Sequence, residues 1–390
     1  MKYFKRSNLL GVLFLVLNAF AASAQETKLT ADLGGFVRFN YGASSWKDAQ
    51  QSRGGDFGMD CFGITAKANY GKLYLNAEYR LYPVASGGDF LKFGYFGYQF
   101  NESSNLRLGL VPMAFGNPVV NSNSFFYSID YFSGLEDDYD MGISYTKTWN
   151  NFQFDVAFMK NAEDLRMGNL GDANYSRFGF DVASFTNDDG SFTYRNKEVN
   201  QVNGRLIYTF KGENSSQDLG ASILYGQLLN LDTQEMGNRY AWSVHYNGTF
   251  GRFNLKAEAT GFDYAAKNPD GESSDIVAMA SFGAAYLMAS KATNYTIGLS
   301  YTLPVESKIL DSFTFYNDFG VMDKANADFE NSMMNVTGVI VSAGPIYTLI
   351  DWGMGKNQAS IGPEWNTSFA QGDPNAKWSY RFNINMGFYF

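Results

Sequence analysis

The 390-residue chain contains one cysteine, Cys61, and one histidine, His245. A lone cysteine excludes an internal disulfide and any multi-thiolate metal site. Basic residues are in the minority, 30 against 39 acidic ones, so the formal charge is −9 and nucleic acid is a poor partner. Beyond residue 24 no apolar run approaches the roughly 20 residues that a membrane-crossing helix needs. No nucleotide motif or catalytic signature is present, so no cofactor, metal or catalytic residue is expected.

What the chain does have is aromatics and glycine: 35 Phe, 26 Tyr and 40 Gly. Hydrophobic residues make up 45% of it, yet the mean hydropathy is −0.25. Apolar residues confined to every second position reconcile the two, and a lipid-facing barrel wall with aromatic girdles needs that distribution.

The first residues carry Lys2, Lys5 and Arg6, an apolar run over residues 9–20, then Ala22, Ser23 and Ala24. A basic start, apolar middle and small-x-small end predict a secretory signal peptide over residues 1–24. Residues 25–390 would then form a single barrel domain.

Alternation is plainest at the end of the chain. Tyr380, Phe382, Ile384, Met386, Phe388 and Phe390 share one face, with Arg381, Asn383, Asn385 and Gly387 on the other. Similar two-faced segments recur throughout, reversed at turn signals such as Gly71, Asn150-Asn151 and Gly251-Arg252. The expected fold is all-β, a closed antiparallel transmembrane β-barrel of about 16 to 18 strands, wide enough to keep an aqueous lumen. Residues 276–288, 293–303, 310–320, 333–343 and 346–355 are among the expected wall strands, and residues 176–184 read as either strand or loop. The last strand should close the sheet against residues 33–41, bringing Arg381 near Arg38.

The polar faces carry Arg38, Lys67, Arg80, Arg107, Arg205, Lys256 and Arg381, together with His245, Glu78, Asp155 and Glu258. As pore-lining groups the cations give a mild anion preference; paired with the carboxylates they would only keep the lumen wet. Residues 113–138 form a long connection too aromatic for a disordered tail. It is expected to fold into the mouth as a constriction presenting Phe125, Tyr127, Asp130, Tyr131, Glu136 and Asp137. Its acids Glu136, Asp137 and Asp138, with Asp140, would favour cations or a divalent ion, though their spacing matches no known calcium loop. A second loop, residues 161–199, carries Glu163, Asp164, Asp172, Asp188 and Asp189 and reads as a solvated extracellular surface. Ser243 shares a strand face with His245, but such neighbours are about 7 Å apart along a strand, too far for a serine–imidazole hydrogen bond. The protein is expected not to be an enzyme.

GLVPMAFG (109–116), SFTFYNDFG (312–320), GPIYTLIDWGMGKN (344–357) and NMGFYF (385–390) resemble segments of the phosphate-selective porin O and P family and its relatives among Bacteroidetes outer-membrane porins. The resemblance implies a barrel of sixteen or so strands in the cell outer membrane, often a homotrimer, passing small anionic or neutral solutes. Met113 and Ala114 stand where that family commonly has a lysine. The terminal aromatic strand resembles the signal read by the barrel-assembly machinery. The expected function is passive diffusion of small hydrophilic solutes across outer-membrane lipid. The alternatives are a sugar channel stacking rings on Tyr127 and Tyr131, a hydrolase around His245, and a surface adhesin.

Overall fold

The computed structural model describes residues 28–163 and 175–390. The signal peptide and Asp164 and Asp172 lie outside the described residues.

Seven long strands come first: β1 (Thr30–Ser44), β2 (Asp56–Tyr70), β3 (Leu73–Leu81), β4 (Asp89–Asn101), β5 (Ser104–Pro112), β6 (Tyr139–Trp149) and β7 (Phe152–Asn161). Three short ones follow, β8 (Asp181–Val182), β9 (Phe185–Thr186) and β10 (Phe192–Thr193). Next are β11 (Asn196–Lys211), β12 (Ser215–Asn230), β13 (Met236–Phe250), β14 (Phe253–Ala265) and the hairpin β15 (Ile276–Ser281) and β16 (Ala284–Ala289). The chain ends with β17 (Lys291–Pro304), β18 (Ser312–Lys324), β19 (Ser332–Ala343), β20 (Ile346–Lys356) and β21 (Ser379–Tyr389). Sixteen of these, all but β8, β9, β10, β15 and β16, close one barrel in which every strand pairs antiparallel with its neighbour.

The wall forms because its residues alternate. On β13, Tyr240, Trp242 and Val244 are each about half exposed on the outside, while Ala241, Ser243 and His245 are buried on the inside. A continuous outer surface of Leu, Ile, Phe, Tyr and Trp has no place in water and matches a hydrocarbon layer. Ring contacts Trp149–Phe152, Phe152–Tyr208, Tyr208–Phe210 and Phe253–Tyr301 gather at the end with the short turns. Tyr225–Tyr240 and Trp352–Tyr380 mark the other end. These are the two aromatic girdles of a membrane barrel.

β21 closes the barrel against β1, in register from Phe36–Tyr389 to Ser44–Arg381. Gly35 and Phe390 exchange backbone hydrogen bonds of 2.9 Å just beyond. The expected closure against residues 33–41 therefore occurs, but the expected proximity of Arg381 and Arg38 across it does not. Arg38 pairs in register with Gly387, and Arg381 with Ser44. The stagger between strands, which alternation does not encode, separates them along the seam.

Two further expectations are corrected. Residues 276–288 are not a wall strand: β15 and β16 form a hairpin that joins β8 in a separate three-stranded sheet. All six residues of β15 are buried, whereas a wall strand has one exposed face. Of residues 176–184, only Asp181 and Val182 are strand, in that inner sheet. The lumen is not simply aqueous either. Phe126, Ile129, Phe132 and Leu135 of the 113–138 loop, Phe178 and Phe180, and Met279, Tyr286 and Met288 of the hairpin pack with Leu224, Leu228 and Phe262 of the wall. The molecule's apolar core thus lies inside the barrel, built from its long connections.

Candidate functional site

The loop between β5 and β6 enters the barrel and is held there by wall side chains. Its ends are tied, Met113 N donating to Asp138 O at 2.9 Å. Gly116 N donates to Ser222 Oγ at 3.1 Å, and Asn117 N and Asn121 Nδ2 donate to Glu258 Oε2 at 3.1 and 2.7 Å. Lys256 Nζ donates to Val120 O at 2.8 Å and Arg205 Nη1 to Gly116 O at 3.1 Å. Asp318 accepts from Ser122 Oγ, Asn123 N, Asn123 Nδ2 and Ser124 N at 3.0, 2.7, 2.7 and 3.1 Å. Polar wall residues thus satisfy a loop backbone that would otherwise be buried without partners.

After this anchored stretch the chain turns at Tyr127, whose φ of 59° is a left-handed conformation rarely adopted by a bulky residue. A short helix, Ile129–Phe132, follows, its N-terminus capped by Ser128 Oγ accepting from Asp130 N at 3.1 Å. Tyr131 stacks on Tyr127, ring centroids 4.2 Å apart, and donates its hydroxyl to Phe178 O at 2.8 Å. Asn294 Nδ2 donates to Asp130 Oδ1 at 3.0 Å, and Tyr264 Oη to Ser133 O at 2.8 Å.

Between this loop and the wall lies a cavity of about 660 Å³. The wall side presents Arg38, Arg80 and Arg381 with Asp60, and the loop side Phe125, Phe126 and Tyr127. Arg38 Nε lies 2.9 Å from Asp60 Oδ2, and Arg80 is ion-paired to Glu78 and donates to Tyr82 Oη at 3.0 Å. Arg381 forms no ion pair among the described residues, Asp351 being the carboxylate that acts on it from farther off; it donates to Ser360 O at 3.3 Å and lies over the Phe126 ring at 5.2 Å. Arg38 and Arg80 are each ion-paired, so among the described residues Arg381 is the lining guanidinium whose charge no ion pair offsets, and it leaves the cavity net positive.

No protein-family model and no curated protein matches the sequence. Solved structures do. The outer membrane channel DcaP of Acinetobacter baumannii aligns with a TM-score of 0.58 at 14% identity, over 95% of this chain and 100% of that one. An anion-selective porin from Comamonas acidovorans gives 0.57 at 14%, covering 93% and 100%. OmpT of Vibrio cholerae gives 0.55 at 12%, covering 94% and 99%. The chain has the porin fold.

Within that fold the expected pore residues divide. Arg38, Arg80 and Arg381 line the cavity. Arg205, ion-paired to Asp155 at 3.0 Å, and Lys256 are occupied in holding the loop. Arg107 donates to Thr146 Oγ1 at 2.9 Å and Asn105 Oδ1 at 3.1 Å, away from the cavity, and Lys67 is exposed. Of the loop residues, Phe125, Tyr127 and Tyr131 line the cavity.

The loop acids do not face it. Asp130 and Glu136 are buried behind the loop, Glu136 accepting from Ser128 Oγ at 2.5 Å. Asp137 is ion-paired to Lys92 at 2.9 Å. Burial, opposed in part by the Ser128 hydrogen bond, pushes the Glu136 carboxyl up to about 8. Burial and the neighbouring Glu258 and Glu136 charges push Asp130 well above the usual carboxylate range. Glu163, expected in a solvated acidic loop, is also buried, while Asp188 and Asp189 are exposed as expected.

Ser243 and His245 are closer than regular strand spacing suggests. Ser243 Oγ lies 3.2 Å from His245 Nδ1 and donates to Glu258, so the side chains lean together although their Cα atoms do not. The hydroxyl proton is directed at a carboxylate that also takes Asn117 and Asn121, and all three groups are buried outside the cavity. The arrangement braces the loop and does not present a nucleophile.

Asp60, Phe178 and Phe180 also line the cavity and were not anticipated. Asp60 faces inward because a bulge opposite Arg38 and Phe39 breaks the alternation there.

Proposed function

We propose that this protein is an outer-membrane porin, a passive diffusion channel for small hydrophilic solutes with a preference for anions. The observation that carries the proposal is the placement of Arg38, Arg80 and Arg381 on the wall of one cavity, facing the aromatic tip of the inserted loop. Fixed cations in a narrow, low-dielectric passage raise the local anion concentration. The inserted loop sets the size limit. An anion-selective porin shares the fold, which agrees with the same reading. Short turns at one end and long connections at the other fit periplasmic and extracellular sides respectively. The signal peptide over residues 1–24, delivery by the barrel-assembly machinery and a homotrimeric state belong to this proposal. Sugar stacking is disfavoured, because Tyr127 and Tyr131 stack on each other. Catalysis is disfavoured by the buried, carboxylate-directed Ser243.

Planar-bilayer recording tests it. Reconstituted protein should give ohmic openings with a reversal potential of anion-selective sign in a salt gradient. Absence of openings would refute the channel, and a cation-selective sign would refute the role given to the three arginines.

A further inference from the structure

Behind the inserted loop, away from the cavity, five carboxylates converge: Asp138, Asp140, Glu163, Asp181 and Glu198, each no more than 4% exposed. Among the described residues two cations are ion-paired to them. Arg177 Nη1 lies 2.7 Å from Asp181 Oδ2, and Arg239 is ion-paired to Glu198. Among the described residues these pairs leave carboxylates in excess in a dry site, and such an excess is costly to bury.

The oxygens of Asp138, Glu163 and Asp181 are disposed in one manner. Each carboxylate spends one oxygen on the protein: Asp138 Oδ1 accepts from Tyr139 N at 2.9 Å, Glu163 Oε1 from Phe178 N and Gly179 N at 2.6 and 2.9 Å, and Asp181 Oδ2 from Arg177. The other oxygen of each, Asp138 Oδ2, Glu163 Oε2 and Asp181 Oδ1, is buried with no hydrogen-bond partner among the described residues. One potential ligand oxygen from each of the three lies within 4.8 Å of the others. Asp140 Oδ1 is a fourth such buried oxygen nearby. Gly179 closes one side: a Cβ there would lie 2.2 Å from Asp138 Oδ1 and 3.5 Å from Glu163 Oε2.

We propose that Asp138, Glu163 and Asp181 bind a divalent cation of the calcium type. Calcium–oxygen bonds of 2.3–2.6 Å place two ligands of one ion up to about 5 Å apart, which matches the spread of the three oxygens. The donor set is oxygen alone, since Cys61 and His245 lie elsewhere, and this selects a hard cation. Magnesium retains several waters and demands near-octahedral geometry, whereas calcium accepts irregular carboxylate cages. Burial first and neighbouring carboxylates second push Asp138 and Glu163 well above the usual carboxylate range, and a bound cation would favour their ionised forms. It would also join three chain segments: the end of the inserted loop, the exit of β7 and the inner sheet at β8. The cation is thus a clasp on the insert, and its binding does not depend on the channel reading.

The test uses the full-length barrel folded in nonionic detergent, stripped with EGTA and dialysed against radiolabelled calcium chloride. Wild-type protein should bind one calcium per chain, and Glu163→Gln and Asp181→Asn should each weaken binding at least about tenfold. Asp189→Asn, at an exposed loop carboxylate, should bind as wild type does. Calcium should raise the unfolding temperature of wild type and leave that of Glu163→Gln unmoved, while the calcium-free variant should be at least as stable as calcium-free wild type. Folding is read from heat-modifiable gel mobility, and Asp138→Asn replaces Glu163→Gln if the latter does not fold. Wild type that binds no calcium at millimolar concentration overturns the site, showing that the carboxyls share protons instead. Unchanged binding by a folded Glu163→Gln or Asp138→Asn variant overturns it as well.

Discussion

The guanidinium of Arg381 on the last wall strand lies 5.2 Å from the centroid of the Phe126 ring on the inserted loop. Wall and loop meet at that contact, so one residue influences both the charge and the width of the passage. Replacing Arg381 with Ala removes a cation that forms no ion pair among the described residues. At about 4 Å in a water-like medium a unit charge is worth about 1 kcal/mol, so the anion-to-cation permeability ratio should fall roughly fivefold. Reversal potentials in a potassium chloride gradient measure it.

Asp318 holds the anchored part of the loop through four hydrogen bonds from residues 122–124. Asp318→Ala leaves those donors unsatisfied and should weaken loop docking by about 3 kcal/mol. The wall pairing of β18 is backbone-based and should persist. The expected result is larger, noisier single-channel conductance with unchanged heat-modifiable mobility.

The buried Glu136 gives the loop a pH dependence of definite sign. Its carboxyl ordinarily titrates near 4.5 and is raised to about 8 when the loop is docked. Between those values the docked loop keeps a proton that the undocked loop has released. Docking is therefore strongest at low pH, loses about 1.4 kcal/mol per pH unit as pH rises through that window, and levels off above it. Conductance noise recorded from pH 5 to 9 should rise accordingly, and Glu136→Gln should lower the slope, leaving the part that the likewise raised Asp130 contributes.

Phe390 is 68% exposed, whereas its backbone is bonded to Gly35. Phe390→Ala keeps the backbone seam. Refolding yield in detergent should match wild type while the amount inserted into the outer membrane falls several-fold, read by heat-modifiable mobility of isolated membranes.

The wall was legible because lipid outside and polar or packed groups inside impose period-two alternation, as on β13 and β21. The inner hairpin was misread as wall because its residues are also small and apolar. Its continuous run Ile276-Val277-Ala278-Met279-Ala280, without alternating polar positions, was the available sign of burial on both faces. Stagger between strands leaves no such mark, and hence the separation of Arg38 from Arg381 was not foreseeable. Loop acids such as Glu136 and Glu163 look solvated in sequence, and only the inward course of their segments shows them to be buried.

Keeping the apolar core inside the barrel and on separate connections divides the selective pressures on the chain. The wall answers to the bilayer, through positions such as Trp242 and Val244. On the proposed reading the solute passes between Arg38, Arg80 and Arg381 of the wall and Phe125, Phe126 and Tyr127, three consecutive residues on the insert. Changes in those three can alter what the barrel admits without touching the residues that keep it in the membrane. A lineage of such barrels can therefore diversify its diet by a few loop substitutions at a time.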